Sequence, residues 1–212
     1  MRLNWTFGVR WASKVRPSYP ALTMSGFDLA LSIALGIGLA AATGFRVFLP
    51  MLVASVSAYT GHLHLNDSFT WLGSVPAMTT LGVAAAAELL AYYIPAVDNL
   101  LDTIATPVAV IAGAVLAAAV MTDLPPAVKW TTAIIAGGGA AAFTQGITTL
   151  IRAKSTVMTG GVGNPVVATA EASSALLIST LALFAPFVAL AAVLIICWLA
   201  VRAMRRLFGR RR

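Results

Sequence analysis

Nearly all of residues 27–201 fall into apolar segments, and several of these are long enough to cross a lipid bilayer as helices. Hydrophobic residues make up 59% of the chain and charged residues 10%, whereas soluble domains carry roughly one-quarter charged residues. This composition excludes a soluble globular domain. The sequence therefore predicts an all-α integral membrane protein whose main partner is the lipid bilayer.

A bilayer core requires about twenty apolar residues in a helix, and by this rule the sequence predicts about six transmembrane helices. They cover approximately residues 27–59, 71–94, 104–121, 128–151, 166–184 and 187–201. The first segment is too long for one straight helix. It contains break signals at Thr43-Gly44 and at Pro50, since both weaken the helical hydrogen-bond ladder. We therefore expect a broken first helix.

Two segments one hundred residues apart resemble each other, Gly38-Leu-Ala-Ala-Ala-Thr-Gly-Phe-Arg46 and Gly138-Gly-Ala-Ala-Ala-Phe-Thr-Gln-Gly146. If the chain is duplicated, residues 24–123 and 124–203 form two three-helix repeats. An odd number of spans in each repeat sets the two halves upside down relative to each other. Such inverted repeats are typical of transporters and channels. Chance similarity between two helices of small residues is the alternative.

The basic residues predict the topology. The chain has a net charge of +7, and most of the basic surplus lies at its two ends. Lysine and arginine concentrate on the cytoplasmic side of membrane proteins, so residues 1–23 are a predicted N-terminal cytoplasmic extension and residues 204–212 a basic cytoplasmic tail. A basic tail also occurs in nucleic-acid-binding proteins. Beside an apolar helix it more often marks orientation, so we expect no nucleic-acid partner.

Three charged residues lie well away from the ends of the predicted spans, where a charge is costly and usually functional or paired. Glu88 and Glu171 lie at comparable predicted depths in the cytoplasmic half, and Arg46 lies between the two break signals of the first segment. Two acids at one level can bind a cation, share a proton or clamp a basic residue. The alternative is that they form structural ion pairs with Arg46, Arg152 or Lys154.

The connection between the second and third spans carries Asp98, Asn99 and Asp102. These residues can cap the following helix and complete its acidic first turn. Together with Glu88 they are also a candidate cation site. We include all three among the residues of a predicted substrate or ion pathway.

A glycine-rich connector, Thr159-Gly-Gly-Val-Gly-Asn-Pro165, joins the fourth and fifth spans. It is either an ordinary hairpin or a re-entrant loop, and at membrane depth such backbone is tolerated only inside protein or beside water. Gly161, Gly163 and Asn164 are therefore predicted to line the same pathway. The spacing is wrong for a phosphate-binding loop.

The remaining reactive residues do not form a recognisable catalytic or metal-binding pattern. His62 and His64 lie in a short loop with Asp67 but no further nearby ligand, which favours solvated side chains over a zinc site. Cys197 is alone within an apolar run. The sequence shows no set of nucleophile, base and orienting acid. We therefore expect no metal, no cofactor and no enzymatic activity.

Three blocks resemble a bacterial integral-membrane family catalogued as domain of unknown function 4126. They are Thr43-Gly-Phe-Arg-Val-Phe-Leu-Pro50, Glu88 with Ile94-Pro-Ala-Val-Asp-Asn-Leu-Leu-Asp102, and Thr159-Gly-Gly-Val-Gly-Asn-Pro-Val-Val167. The resemblance implies a multi-pass protein of the bacterial inner membrane and supports Met24 as the usual start. Members tend to carry lysine where Tyr93 stands and a second acid where Ala172 stands.

These features lead to three hypotheses of function. The first is a small inner-membrane transporter or channel for a small solute or ion, with both termini cytoplasmic. Under this hypothesis, proton or cation coupling occurs through the buried carboxylates. The second is a non-transporting scaffold or assembly subunit whose buried charges only fix helix packing. The third is a lipid flippase or scramblase.

Six short spans enclose little volume, so a homo-oligomer is a further expectation.

Overall fold

The computed structural model describes residues 26–122 and 124–209, with the backbone alone for residues 95–103, 204 and 207–209. Every regular element in this part of the chain is helical. The α-helices are α1 (Gly26–Thr43), α2 (Phe48–Tyr59), α3 (Val75–Ala91), α4 (Pro95–Val120), α5 (Pro126–Thr132), α6 (Gly139–Thr159), α7 (Asn164–Phe184) and α8 (Pro186–Gly209). A 3₁₀ helix precedes α3 (Asp67–Gly73), and a π-helical segment (Ala133–Gly138) joins α5 to α6. The predicted all-α class is confirmed.

Four helical stretches are long and apolar enough to cross a membrane: α1, the continuous helix Pro126–Thr159, α7, and residues 186–203 of α8. The 3₁₀ helix and α3, bent by 65° at their junction, make a fifth candidate when taken together. In contrast, α2 and the stretch Ile104–Val120 are shorter apolar helices. The described residues therefore indicate a membrane protein with four or five candidate spans, and the predicted six are not confirmed.

The first apolar segment is broken, as predicted. Helix α1 ends at Thr43 and α2 begins at Phe48, so residues 44–47 form the break. Pro50 does not contribute a second break. It lies in the first turn of α2, where the amide hydrogen that proline lacks has no helical partner to lose.

The chain reverses direction at this break. Gly36 packs against the backbone of Ala117 and Thr43 donates a hydrogen bond to the carbonyl of Ala109, so α1 runs antiparallel to α4. After the break, Val47 clusters with Ala109, and Asn66, beyond α2, donates its amide hydrogen to Ala119. Helix α2 therefore runs parallel to α4. Helices α1 and α2 form a hairpin, with Arg46 at its tip, rather than one kinked span.

This reversal affects the predicted repeat. Gly44 in the hairpin turn packs against Thr144, while Ala40 lies near Gly137, so α1 and the π–α6 segment run in the same direction. An inverted repeat requires the two matching segments to run in opposite directions. The additional reversal at residues 44–47 explains the difference, because it adds one change of direction before α5. Two inverted three-helix halves, 24–123 and 124–203, are therefore not confirmed.

Helices α1 and α8 also run in the same direction. The rings of Phe27 and Phe187, near the starts of the two helices, are 5.7 Å apart, and Gly38 lies against Ala189. The described chain therefore begins and ends at opposite ends of the bundle. The cytoplasmic location of both termini is not shown and stays a prediction.

Small residues allow the helices around α1 to approach closely. A Cβ atom built at Gly44 overlaps the Thr144 hydroxyl and the Ala141 carbonyl, and comes within 2.8 Å of the Gln145 nitrogen. The Thr144 hydroxyl also donates to the carbonyl of Ala41. Backbone contact of this kind requires glycine, so Gly44 fixes the position of the hairpin turn against α6.

We expect Gly44→Ala to destabilise the protein by roughly 1 to 3 kcal/mol or more, because the new methyl group meets backbone atoms that cannot move independently. Thermal unfolding of the purified protein in detergent measures this effect. Gly82→Ala in α3 is the matched control, since nothing lies within 4 Å of its Cβ position. The control should leave the melting temperature unchanged or raised. Equal melting temperatures for the two variants would contradict the proposed close contact.

Candidate functional site

Arg46 at the tip of the α1–α2 hairpin is almost completely buried, with 2% of its surface exposed. Its side chain extends toward α7. There, Nη2 donates a hydrogen bond of 3.0 Å to the carbonyl of Ala168 and lies 3.1 Å from Oε2 of Glu171. A charge at this depth is tolerated only where it is paired. The hairpin turn is therefore attached to α7 through a buried ion pair.

Glu171 accepts contacts from a second arginine. In α6, Arg152 donates through Nε to Glu171 Oε1 at 2.8 Å and through Nη2 to Oε2. Two parallel hydrogen bonds between a guanidinium and a carboxylate form the strongest common ion-pair geometry. Arg152 and Glu171 are 5% and 4% exposed. Because both carboxylate oxygens are engaged by arginines, Glu171 is poorly suited to binding a cation.

The aromatic ring of Tyr92 contacts both arginines. The guanidinium carbons of Arg46 and Arg152 lie 3.8 and 4.0 Å from the ring centroid. Tyr92 follows the last residue of α3 and is buried. Attraction between a cation and the face of an aromatic ring strengthens when both are removed from water. The ring therefore helps to hold two like charges close together.

Glu88 has a different environment from Glu171. Its Oε1 accepts a hydrogen bond of 2.8 Å from the backbone nitrogen of Val47, and its Oε2 accepts one of 3.1 Å from that of Phe48. The N-terminus of α2 has no capping side chain from its own segment. Glu88 of α3 thus caps the second helix of the hairpin, where a negative charge is favourable.

Glu88 also lines an open groove of about 460 Å³ between the start of α2, α3 and α4. The other described residues of this groove are apolar or aromatic, including Phe48, Ile104 and Val108. The carboxylate is partly buried rather than fully enclosed. Of the two buried acids, Glu88 is therefore the one that a molecule in the groove can reach.

Arg46 retains hydrogen-bonding capacity. Among the described residues, none provides an acceptor for its Nε or Nη1, although both atoms are buried. The cluster as a whole contains two arginines, Arg46 and Arg152, and two acids, Glu88 and Glu171, so its formal charges balance. An unmet donor beside a balanced set of charges can donate a hydrogen bond to water or to a small bound group.

The structure brings together Arg46, Glu88 and Glu171, because Arg46 pairs with Glu171 and the next residue, Val47, donates to Glu88. The alternative of an ion pair between Glu171 and Arg46 or Arg152 is also confirmed, and both arginines take part. Lys154 is exposed and lies outside the cluster. Tyr92 was not predicted, although its position four residues after Glu88 places both on one helix face.

Three of the other predicted pathway residues belong to the N-terminal part of α4. Asp98, Asn99 and Asp102 lie in the first turns of α4, which begins at Pro95 with Ile94 at its N-cap, so Asp98 does not cap the helix as expected. Their side chains lie outside the described atoms. Their part in a pathway stays a prediction.

Gly161, Gly163 and Asn164 belong to a tight turn rather than to a re-entrant loop. Helix α6 ends at Thr159, and Gly160 and Gly161 adopt φ angles of +62° and +90°, which favour glycine after a helix C-terminus. Asn164 starts α7 and its side chain contacts Thr156. The turn follows Arg152 by eight residues, or about 12 Å along a helix, so it does not line the cluster.

One family model, described as a domain of unknown function (DUF4126), matches residues 33–206 of the chain. This match covers every member of the cluster. Neither a curated protein nor a solved structure matches the chain.

We expect Glu171→Gln to destabilise the protein by roughly 3 to 5 kcal/mol, because two buried guanidinium groups lose their counter-charge. Thermal unfolding in detergent measures this loss. Asp67→Asn is the control, since Asp67 is an exposed acid. A Glu171→Gln variant as stable as this control would show that the ion pairs contribute little to the fold.

Tyr92→Leu should lower the stability by roughly 1 to 2 kcal/mol more than Tyr92→Phe, because only phenylalanine preserves the ring face beneath the two guanidinium groups. The comparison uses the same thermal unfolding assay. Equal losses for the two variants would assign the effect of Tyr92 to its hydroxyl group instead.

Proposed function

We propose that this chain, which belongs to the DUF4126 family, is a small membrane transporter or channel for a small solute or ion, with its working site at the α1–α2 turn. One observation carries the proposal. The backbone amides of Val47 and Phe48, at the start of a helix within the bundle, are held by the Glu88 carboxylate of another helix at the edge of an open groove.

Interrupted helices bind substrates and coupling ions in many membrane transporters, because their ends present backbone groups that a continuous helix cannot offer. In this chain the available helix end is the N-terminus of α2, and Glu88 occupies it. The contact depends on a side chain rather than on the helix itself. A rotation about the Glu88 side-chain bonds can therefore open the site without unfolding α3.

Protonation of Glu88 supplies a coupling step. A carboxylate accepts hydrogen bonds on both oxygens from the Val47 and Phe48 amides. Protonation turns one of these oxygens into a hydroxyl group, which is a weaker acceptor for its amide. Proton uptake would thus weaken the cap and expose the amides to the groove. Glu171, clamped between two arginines, serves in this proposal as a structural anchor.

The geometry of this site supports transport without an inverted repeat, since the two similar segments run in the same direction. Three features combine here: a buried helix end, an arginine with two buried donors that no described residue accepts, and a carboxylate that can be reached from a groove.

A second candidate function is a non-transporting scaffold or assembly subunit. The observation that favours it is the near-complete pairing of the cluster, in which Glu171 binds two arginines and both arginines contact Tyr92. Under this hypothesis the charges only fix the position of the hairpin.

The third candidate, lipid flipping or scrambling, requires a polar route for headgroups. The described groove offers Glu88 as its one charged residue, which favours this function least.

Glu88→Gln should abolish proton-coupled transport while leaving the protein folded. Glutamine preserves the shape of the side chain but carries one acceptor oxygen and cannot exchange a proton. The measurement is charge movement in proteoliposomes on a solid-supported membrane, using small carboxylates, amino acids and inorganic ions as probes across an imposed pH gradient. Thermal unfolding in detergent checks that the variant is folded.

Glu88→Asp is the matched control, because it retains an exchangeable proton at the same position. It should reduce the signal without abolishing it. Wild-type protein that gives no current with any probe, or Glu88→Gln protein that matches the wild type, would contradict the transport proposal. A change confined to stability in both Glu88→Gln and Glu171→Gln supports the scaffold alternative.

A further inference from the structure

The C-terminal part of α8 carries a basic surface that the proposed transport site does not use. Arg202, Arg205 and Arg206 line a shallow groove of about 410 Å³ together with Trp198 and Val201. The guanidinium carbon of Arg202 lies 5.0 Å from the centroid of the Trp198 ring. We call this surface the α8 basic groove. It is exposed along most of its length.

The position of this groove along the bundle axis follows from the packing of α8. Cys197 packs against the same hydrophobic cluster as Phe45, next to the buried hairpin turn. Arg202 to Arg206 therefore lie about 8 to 14 Å further along the helix axis. The α6–α7 turn lies about 12 Å beyond Arg152 on the same scale. The arginines are thus at the edge of the bundle, at a depth suited to lipid headgroups.

An apolar stripe continues directly below the groove. Leu194, Ile195 and Leu199 are 60%, 57% and 52% exposed. Ile195, Leu199, Arg202 and Arg206 follow one another at spacings of three and four residues, which places them on one face of the helix. The same face of α8 therefore changes from apolar to basic at the level of Trp198, a residue type enriched at membrane interfaces.

The charge of this region has one sign. Helix α8 contains no acidic residue between Pro186 and Gly209, and three more arginines follow at positions 210–212 in the sequence. Arginine forms paired hydrogen bonds with phosphate oxygens. A ligand with a phosphate group and a long hydrocarbon chain would satisfy both parts of the helix face.

We propose that the α8 basic groove binds the headgroup of an anionic phospholipid, with one acyl chain along the stripe formed by Leu194, Ile195 and Leu199. The phosphate accepts hydrogen bonds from Arg202, Arg205 and Arg206. Free phosphate would use the arginines without the apolar stripe, and nucleic acid would also leave the stripe unused. The continuity of the two surfaces therefore selects a lipid. This site is independent of the transport proposal.

Native mass spectrometry of the full chain in detergent, with dioleoyl phosphatidylglycerol and dioleoyl phosphatidylcholine as probes, tests the site. We expect the wild type to retain phosphatidylglycerol preferentially. The triple substitution Arg202→Gln, Arg205→Gln and Arg206→Gln should weaken phosphatidylglycerol binding on the order of a hundredfold, or roughly fivefold for each arginine. Lys154→Gln, which removes an exposed cation outside the groove, should leave binding unchanged.

A second measurement does not depend on the triple variant. Brominated phosphatidylglycerol quenches tryptophan fluorescence on contact. Because Trp71 and Trp130 are also exposed, the quenched fraction should fall in Trp198→Phe without disappearing. Equal retention of the two lipids, unchanged binding by the triple variant, or an unchanged quenched fraction in Trp198→Phe would overturn the proposal. Displacement of phosphatidylglycerol by inorganic phosphate, or tighter binding of a DNA oligonucleotide, would also overturn it, since either result assigns the groove to a ligand without an acyl chain.

Discussion

The buried carboxylate of Glu171 determines how the central part of this protein is arranged. It lies between Arg46 from the hairpin turn and Arg152 from α6, and it is itself carried by α7. The hairpin turn and the consecutive helices α6 and α7 therefore meet at one ionic contact. In surroundings of low polarity, burial of either arginine charge without this partner is costly. The position of the hairpin tip, and with it the start of α2, depends on this pair of contacts.

Close packing of small residues complements this ionic contact. Gly44 lets the hairpin turn approach the backbone of α6, and Gly113 and Gly137 allow a similar approach between α4 and the π-helical segment. Contacts of this kind require no hydrophobic driving force and suit helices surrounded by lipid. The two acids of the cluster, Glu171 and Glu88, therefore have different roles. Glu171 holds the hairpin in place, whereas Glu88 lies where the helix end meets an open groove.

The local features of the fold could be predicted from the sequence, but the long-range geometry could not. The break at Gly44, the burial of Arg46 and the similar depths of Glu88 and Glu171 follow from helix propensity and from the cost of a charge in lipid. The direction of the chain after the turn cannot be predicted in this way, because a glycine indicates that a helix ends but not which way the chain then runs. The reversal at residues 44–47 divided the first predicted span into two helices and removed the support for an inverted repeat. Ile94-Pro95 was a local signal for the earlier start of α4, since proline is favoured in the first helical turn.

The uninterrupted helix Pro126–Thr159 has a consequence for what surrounds the protein. Its 34 residues extend about 50 Å at the usual helical rise, whereas a bilayer's hydrocarbon layer is about 30 Å thick. A helix of that length must either lean strongly or protrude into water. Protrusion at its C-terminal end would place the Gly160-Gly161 bend in water at or beyond the lipid headgroups. There it would be within reach of proteases, antibodies and soluble proteins.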